Sequence, residues 1–185
     1  MYRSGSAYNE LDKLAIDVYL DYNIKSFPID ARDVCNRLGI MLVPYSELGD
    51  ERELFFKRSN YGFLRPPYAN RPATIYYNDD ICFMKSKGSI RQTIFHEIKH
   101  YVHEDYSEDN PEDDDLAEHF ARFFACPTQY LVKHNITDVS EIISTFGVSL
   151  AIAENASKAV INRMRAHGQR IFDYEQPLID LIDSK

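Results

Sequence analysis

Five residues, His96-Glu97-Ile98-Lys99-His100, constrain this chain more than any other stretch. They read H-E-x-x-H. On a helix, side chains four apart lie on one face, about 5–6 Å apart at Cβ. Two imidazoles so placed can grip one metal ion through nitrogens at about 2.0–2.1 Å. Glu97 is one step round the helix from His96, so it can reach a water on that ion without being a ligand itself. Two ligands, an open metal position and a base are what a zinc hydrolase requires. The motif is short and gains weight from its surroundings. Ile90, Ile94, Ile98, Tyr101 and Val102 recur at three and four, and Ser89 precedes them as an N-cap candidate. The expected helix, from about Ser89 to His103, therefore has one buried face and one histidine face. The bland alternative is a solvated face that carries these groups by accident. The helical period and the acidic helix that follows argue against it.

The chain as a whole has the composition to bury a core. It has 185 residues, 44% of them hydrophobic, enough for one domain or one domain with an appendage. A net charge of -8 argues against a general nucleic-acid binder. Cys35, Cys82 and Cys126 are odd in number and far apart, so neither a disulfide framework nor a cysteine zinc site is expected. A reduced, cytoplasmic setting follows. The start, Met1 to Ser6, leads into a polar helix rather than an apolar signal core, and no run is long enough to span a membrane.

Taken in order, Leu11, Leu14, Ala15, Val18 and Tyr19 mark a first amphipathic helix. A short helix from Ala31 to Leu38 is expected between an Asp30 cap and Gly39. Ile40 to Val43 reads as a strand stopped by Pro44. Glu47 to Arg58 is mixed, and Tyr61 to Leu64 reads as a short strand. Thr74 to Tyr77 and Ile81 to Met84 read as strands joined by a turn at Asn78-Asp79-Asp80. The sheet is therefore expected to be small and mainly antiparallel. Its structural role is scaffolding; its functional role would be an edge that takes a peptide as an added strand.

Glu104 to Asp115 reads as an acidic, solvated loop joining two helices. A helix from Leu116 to Ala125 follows, with Leu116, Ala117, Phe120, Ala121 and Phe124 as its buried stripe. Glu118 lies on the flank beside Ala117, Ala121 and Ala125, whose small size would let this helix approach the histidine helix. Glu118 can then complete the metal site. Asp114, one turn earlier on the same flank, is either a partner to a ligand histidine or the ligand itself. An ordinary surface carboxylate is the alternative for Glu118. After Cys126-Pro127 and a loop, Val139 to Phe146 and Leu150 to Ala166 read as helices, closed by Gly147 and Gly168. The segment from Phe172 to Lys185 has no clear assignment.

Several of these pieces together resemble the ImmA/IrrE family of zinc metallopeptidases, from about the first helix to Gly168. They are Phe27-Pro28-Ile29-Asp30 leading to Leu38-Gly39-Ile40, Ile75-Tyr76-Tyr77-Asn78, Arg91 through His100, Ala117 to Ala121 ending at Cys126-Pro127, and Phe146 to Ser149. The resemblance implies an α+β, zincin-like and gluzincin-like fold: a helical domain with the small sheet, and C-terminal helices. Residues 1–130 would form the catalytic domain, with 131–185 a helical extension packed on it. It also implies a cytosolic peptidase of bacterial or phage origin. Its substrate would be a protein, a helix-turn-helix repressor of mobile-element or stress control. One position departs from the pattern: Leu116 stands where family members commonly carry Glu.

The expected centre therefore has Zn²⁺ on His96, His100 and Glu118, with Asp114 as the second choice for the third ligand. Glu97 is the expected base, taking a proton from water and passing it to the leaving amine. Tyr76, Tyr77, His103 and Arg91 are candidates for the oxyanion donor. His103 and His119 compete weakly as ligands. Two other readings stand beside this one. The first is a DNA-binding or partner-binding regulator with a structural metal, built on the Phe146 to Ser149 turn. Against it, Leu150 to Asn155 carries no Arg or Lys. The second is a relative with a degenerate metal site.

Overall fold

The structure, a computed structural model, describes residues 5–106 and 111–184. The polar start at 1–4, the middle of the acidic stretch at 107–110 and Lys185 lie outside the described residues. In chain order the elements are α1 (Gly5–Asp21), α2 (Ala31–Leu38), β1 (Met41–Pro44), α3 (Arg52–Arg58), β2 (Gly62–Arg65), β3 (Thr74–Tyr77), α4 (Ile81–Met84), α5 (Lys87–Val102), α6 (Pro111–Ala125), α7 (Thr128–His134), α8 (Val139–Phe146), α9 (Leu150–His167) and α10 (Gln176–Asp183). The fold is α+β: helices dominate around one small sheet, with further helices toward the C-terminus. No helix among the described residues is long and apolar enough to cross a membrane.

Two compact units form, Met1–Ile29 with Arg122–Lys185, and Asp30–Ala121. This division differs from one at residue 130, because α1 groups with the C-terminal helices. Within that unit Tyr19 of α1 stacks at 4.9 Å on Phe124 and donates its hydroxyl to the Phe124 carbonyl. Phe27 packs against Phe146 and Tyr130, at 4.5 and 5.2 Å between ring centroids. The segment left unassigned from sequence is tied down by Glu175. Its buried carboxylate takes both Arg163 guanidinium nitrogens at 2.6 Å and the Phe172 N–H at 2.8 Å.

The other unit holds the sheet, in the order β1-β3-β2. β2 runs antiparallel to β3, but β1 runs parallel to it. The sheet is thus mixed rather than mainly antiparallel. The chain has room to cross over: α3 and β2 intervene between β1 and β3. The Ile81–Met84 run, expected as a strand, is the short helix α4. Asp80 caps it, accepting from the N–H groups of Cys82 and Phe83 at 2.9 and 3.4 Å, and Asn78 in turn accepts from Asp80 N–H. These local side-chain bonds outcompete strand pairing for an apolar run of only four residues.

The two sheet faces carry different partners. Phe63 and Tyr76 pair across β2 and β3 and stack with Phe55 of α3, at 5.7 and 4.7 Å. Leu64 and Ile75, one step along, are buried on the opposite face, where α5 packs. Gly62 permits that approach. A Cβ there would lie 2.8 Å from Thr93 Cγ2 of α5 and 2.8 Å from the Tyr76 carbonyl.

Candidate metal centre

α5 begins one turn earlier than its apolar period indicates. Ser86, not Ser89, is the N-cap, with its hydroxyl accepting from the Ser89 N–H at 3.0 Å. Ile94, Phe95 and Ile98 are buried, which fixes the rotation of the helix and turns His96 and His100 to its partly open side. α6 also begins earlier than expected. Residues 111–115, read as the end of a loop, form its first turn, with Pro111 at the position where a missing N–H costs nothing. An acid-rich first turn suits the positive end of the helix. Asp114 is therefore a helical residue, one turn before Glu118.

This start brings Asp114 to the histidines. His96 Nε2 lies 3.4 Å from His100 Nε2 and 3.1 Å from Asp114 Oδ1. The three side chains form a group whose ligand atoms all lie within 4.8 Å of one another. Zinc bonds of 2.0–2.1 Å at tetrahedral angles place two ligand atoms about 3.3–3.4 Å apart. These two separations match that edge to within a few tenths of an ångström, and the third, between His100 and Asp114, lies within 4.8 Å, so the donor set is of the type and spacing that could hold the ion. Glu118, the first choice for third ligand, is elsewhere. Its Oε1 faces the other ring nitrogen, Nδ1 of His96, at 3.7 Å, and its Oε2 accepts from Gln92 at 3.3 Å. Asp114, the second choice, thus joins the candidate group, and Glu118, the first choice, flanks the His96 ring. His103 is exposed at the end of α5, and neither it nor His119 belongs to the group.

The His100 ring is held in the required tautomer by what lies behind it. His100 Nδ1 faces the Asp105 main-chain carbonyl at 3.2 Å. A carbonyl only accepts, so Nδ1 carries the proton and Nε2 keeps its lone pair. Asp105 is fixed in turn by Lys99, which is fully buried and reaches Asp105 Oδ2 at 3.0 Å. Burial, the Lys99 charge and His96 push the His100 pKa down to about 4, so the ring is neutral at physiological pH. His96 moves the other way. Burial works to lower its pKa, but Glu118 at Nδ1 and the charges of Glu97 and Asp114 outweigh it and raise the pKa overall. Its surroundings thus carry an excess of negative charge that a bound cation would answer.

Glu97 is nearly buried, and its Oε2 accepts from the Leu64 N–H of β2 at 2.8 Å. Burial raises its pKa, against the opposing pull of His96 and the Leu64 hydrogen bond. Raised proton affinity beside a metal-competent cluster suits a base. The candidate oxyanion donors have other partners or are exposed. Tyr76 lies on the sheet face that Phe55 covers, and Tyr77 is buried with its hydroxyl engaged by Arg32. Arg91 feels the charge of Asp30. Sequence reading missed Lys99, Asp105 and the Leu64 N–H. Asp105 and Lys99 carried one signal: an acid five residues after a motif histidine, with a lysine on the helix's apolar side.

Compared with known proteins, the chain matches no family model, no curated protein and no solved structure.

Proposed function

We propose that the chain is a zinc-dependent endopeptidase, of the kind its resemblance to the ImmA/IrrE family implies. The observation that carries this reading is the grouping of His96 Nε2, His100 Nε2 and Asp114 Oδ1 at zinc-ligand spacings, with a buried Glu97 on the same helix. These three residues would hold the ion. Zinc, when bound, supplies Lewis acidity toward a peptide carbonyl and acidifies water.

The chain's own groups account for the rest. Glu97 takes the proton of the attacking water on its carboxylate and returns it to the leaving amine. Its raised pKa favours holding the proton between those two events. Glu118 and the Asp105 carbonyl hold the two rings in place. The substrate chain lies along β2, an edge strand of the sheet. Phe63 pairs with Tyr76 and Asn78 N–H donates to the Tyr61 carbonyl. By the alternation of an antiparallel ladder, the carbonyls of Gly62 and Leu64 then face outward and can accept from a peptide.

The substrate class the resemblance implies is a helix-turn-helix repressor, and the setting is cytoplasmic. Incubation with the repressor encoded beside this gene, with and without chelator, tests the proposal. Cleavage is expected with zinc, abolished by chelation and reduced by about 10²–10⁴-fold or more in Glu97→Gln that still binds zinc. A repressor left intact by zinc-loaded protein contradicts it. A salt-dependent shift of DNA without cleavage would favour the regulator instead.

A further inference from the structure

The sheet face opposite α5 carries an open cleft of about 260 Å³, lined by Leu54, Phe55, Arg58, Phe63, Arg65 and Tyr76. Its walls are aromatic. Phe55, Phe63 and Tyr76 lie 4.7 to 5.7 Å apart, ring to ring. Leu54 at the mouth is 63% exposed, so the cleft opens to solvent. Small-molecule sites run to about 300–1,000 Å³, so this one is sized for a side chain rather than a cofactor.

Two guanidinium groups stand over these rings. Arg58 is 4.3 Å from the Phe63 centroid and Arg65 is 5.4 Å from that of Tyr76. Arg65 is half-buried and donates to Thr74 Oγ1 at 2.9 Å. Among the described residues no carboxylate pairs with it. On a chain of net charge -8, an arginine held over an apolar cleft without an acid is a preformed place for an external one.

The cleft is built in part on the strand that the base touches. Phe63 and Arg65 flank Leu64, whose N–H is held by Glu97. A peptide added along β2 would run about 4.8 Å from it, its side chains alternating between the two sheet faces. Those on the Phe63 face pass over the cleft within one or two residues of the bond nearest Glu97.

We propose that this cleft is the specificity subsite of the peptidase, and that it selects a large apolar side chain with an aspartate or glutamate two residues from it, on the same face of the added strand, the ring walls taking the first and Arg65 the second. The inference rests on the peptidase reading and extends it to a substrate class. Leu54 and Phe55 would set the preference for size, and Arg65 the preference for charge.

The test separates the two claims by measuring binding without turnover. Fluorescent peptides with a central Phe or Leu and with Glu, Ala or Lys two residues from it are titrated into zinc-loaded Glu97→Gln, with and without the added change Arg65→Glu. The acidic peptide is expected to bind roughly tenfold tighter than the lysine peptide, and Arg65→Glu to invert that order. Leu54→Trp, at the exposed mouth, is expected to weaken Phe and Leu peptides alike while zinc content stays the same. Equal binding of the three peptides, or an order indifferent to Arg65→Glu, would overturn the subsite. Self-association lost in Arg65→Glu without peptide selectivity would also overturn it, by assigning the cleft to a second copy of the chain. In the wild type, selective binding with no peptide cleaved would leave the subsite standing and remove the peptidase.

Discussion

His96 and His100 are one turn apart on the same helix, yet their surroundings make them opposite as bases. His100 sits behind a buried lysine and titrates near pH 4, while His96 sits among three carboxylates and titrates above its ordinary value. In the metal-free protein, NMR should show His96 gaining its proton first as the pH falls, with His100 neutral until about pH 4. The consequence for metal follows by sign. Between pH 5 and the pKa of His96, only one histidine proton competes with zinc, so log affinity should fall by about one per pH unit from this source rather than two. Simultaneous titration of both rings would contradict the placement of Lys99. Asp105 carries a second expectation. Asp105→Ala leaves the Lys99 ammonium buried and unpaired, and should cost about 3–5 kcal/mol in urea unfolding. Weakened zinc binding should accompany it, because the carbonyl behind His100 loses its anchor. The motif itself named His96, Glu97 and His100 from sequence. It did not decide between Asp114 and Glu118, because residues one helical turn apart share a flank. The choice depends on how far α6 slides along α5, which periodicity does not encode.

Elements with a longer apolar period between recognisable caps were legible, whereas the four-residue α4, although capped by Asp80, and the elements decided by tertiary pairing were not. Asp30 and Gly39 bracket α2 as expected, with the glycine at φ 72°. Gly147 closes α8, and Ser149 caps α9. By contrast β1 pairs in parallel with β3 across two intervening elements, and four residues of sequence cannot state a partner or a direction. α6 was read short because an acidic run with a proline reads as a loop, although both features also suit a helix start. The close approach of β2 and α5 provides an element-scale test. Gly62→Ala meets a side-chain methyl and a main-chain carbonyl at once, and only the first can yield. A loss of about 1–3 kcal/mol is expected by denaturant unfolding, with only partial recovery in the Gly62→Ala, Thr93→Ala double variant. No loss would show that α5 is not held this closely to the sheet. The helix pair around Gly147 offers the DNA-binding reading little: Leu150, Ala151, Glu154 and Asn155 are the exposed positions that open α9, and none is basic.

At the scale of the whole chain, several helices and a small sheet were legible from hydrophobic period and the α+β class was implied by the family resemblance, whereas the grouping of α1 with the C-terminal helices was not foreseen. That grouping rests on aromatic contacts between residues more than a hundred positions apart, such as Tyr19 with Phe124. The candidate centre lies wholly within the unit Asp30–Ala121, and the chemistry proposed for it would depend on one ion held between α5 and α6. Counting zinc per chain by plasma mass spectrometry, after dialysis against trace zinc, tests that dependence most directly. One zinc per chain is expected in the wild type and in Glu118→Gln, with near-complete loss in His100→Ala and Asp114→Ala. A wild type without zinc, or an Asp114→Ala protein that keeps its full complement, would contradict the proposed centre.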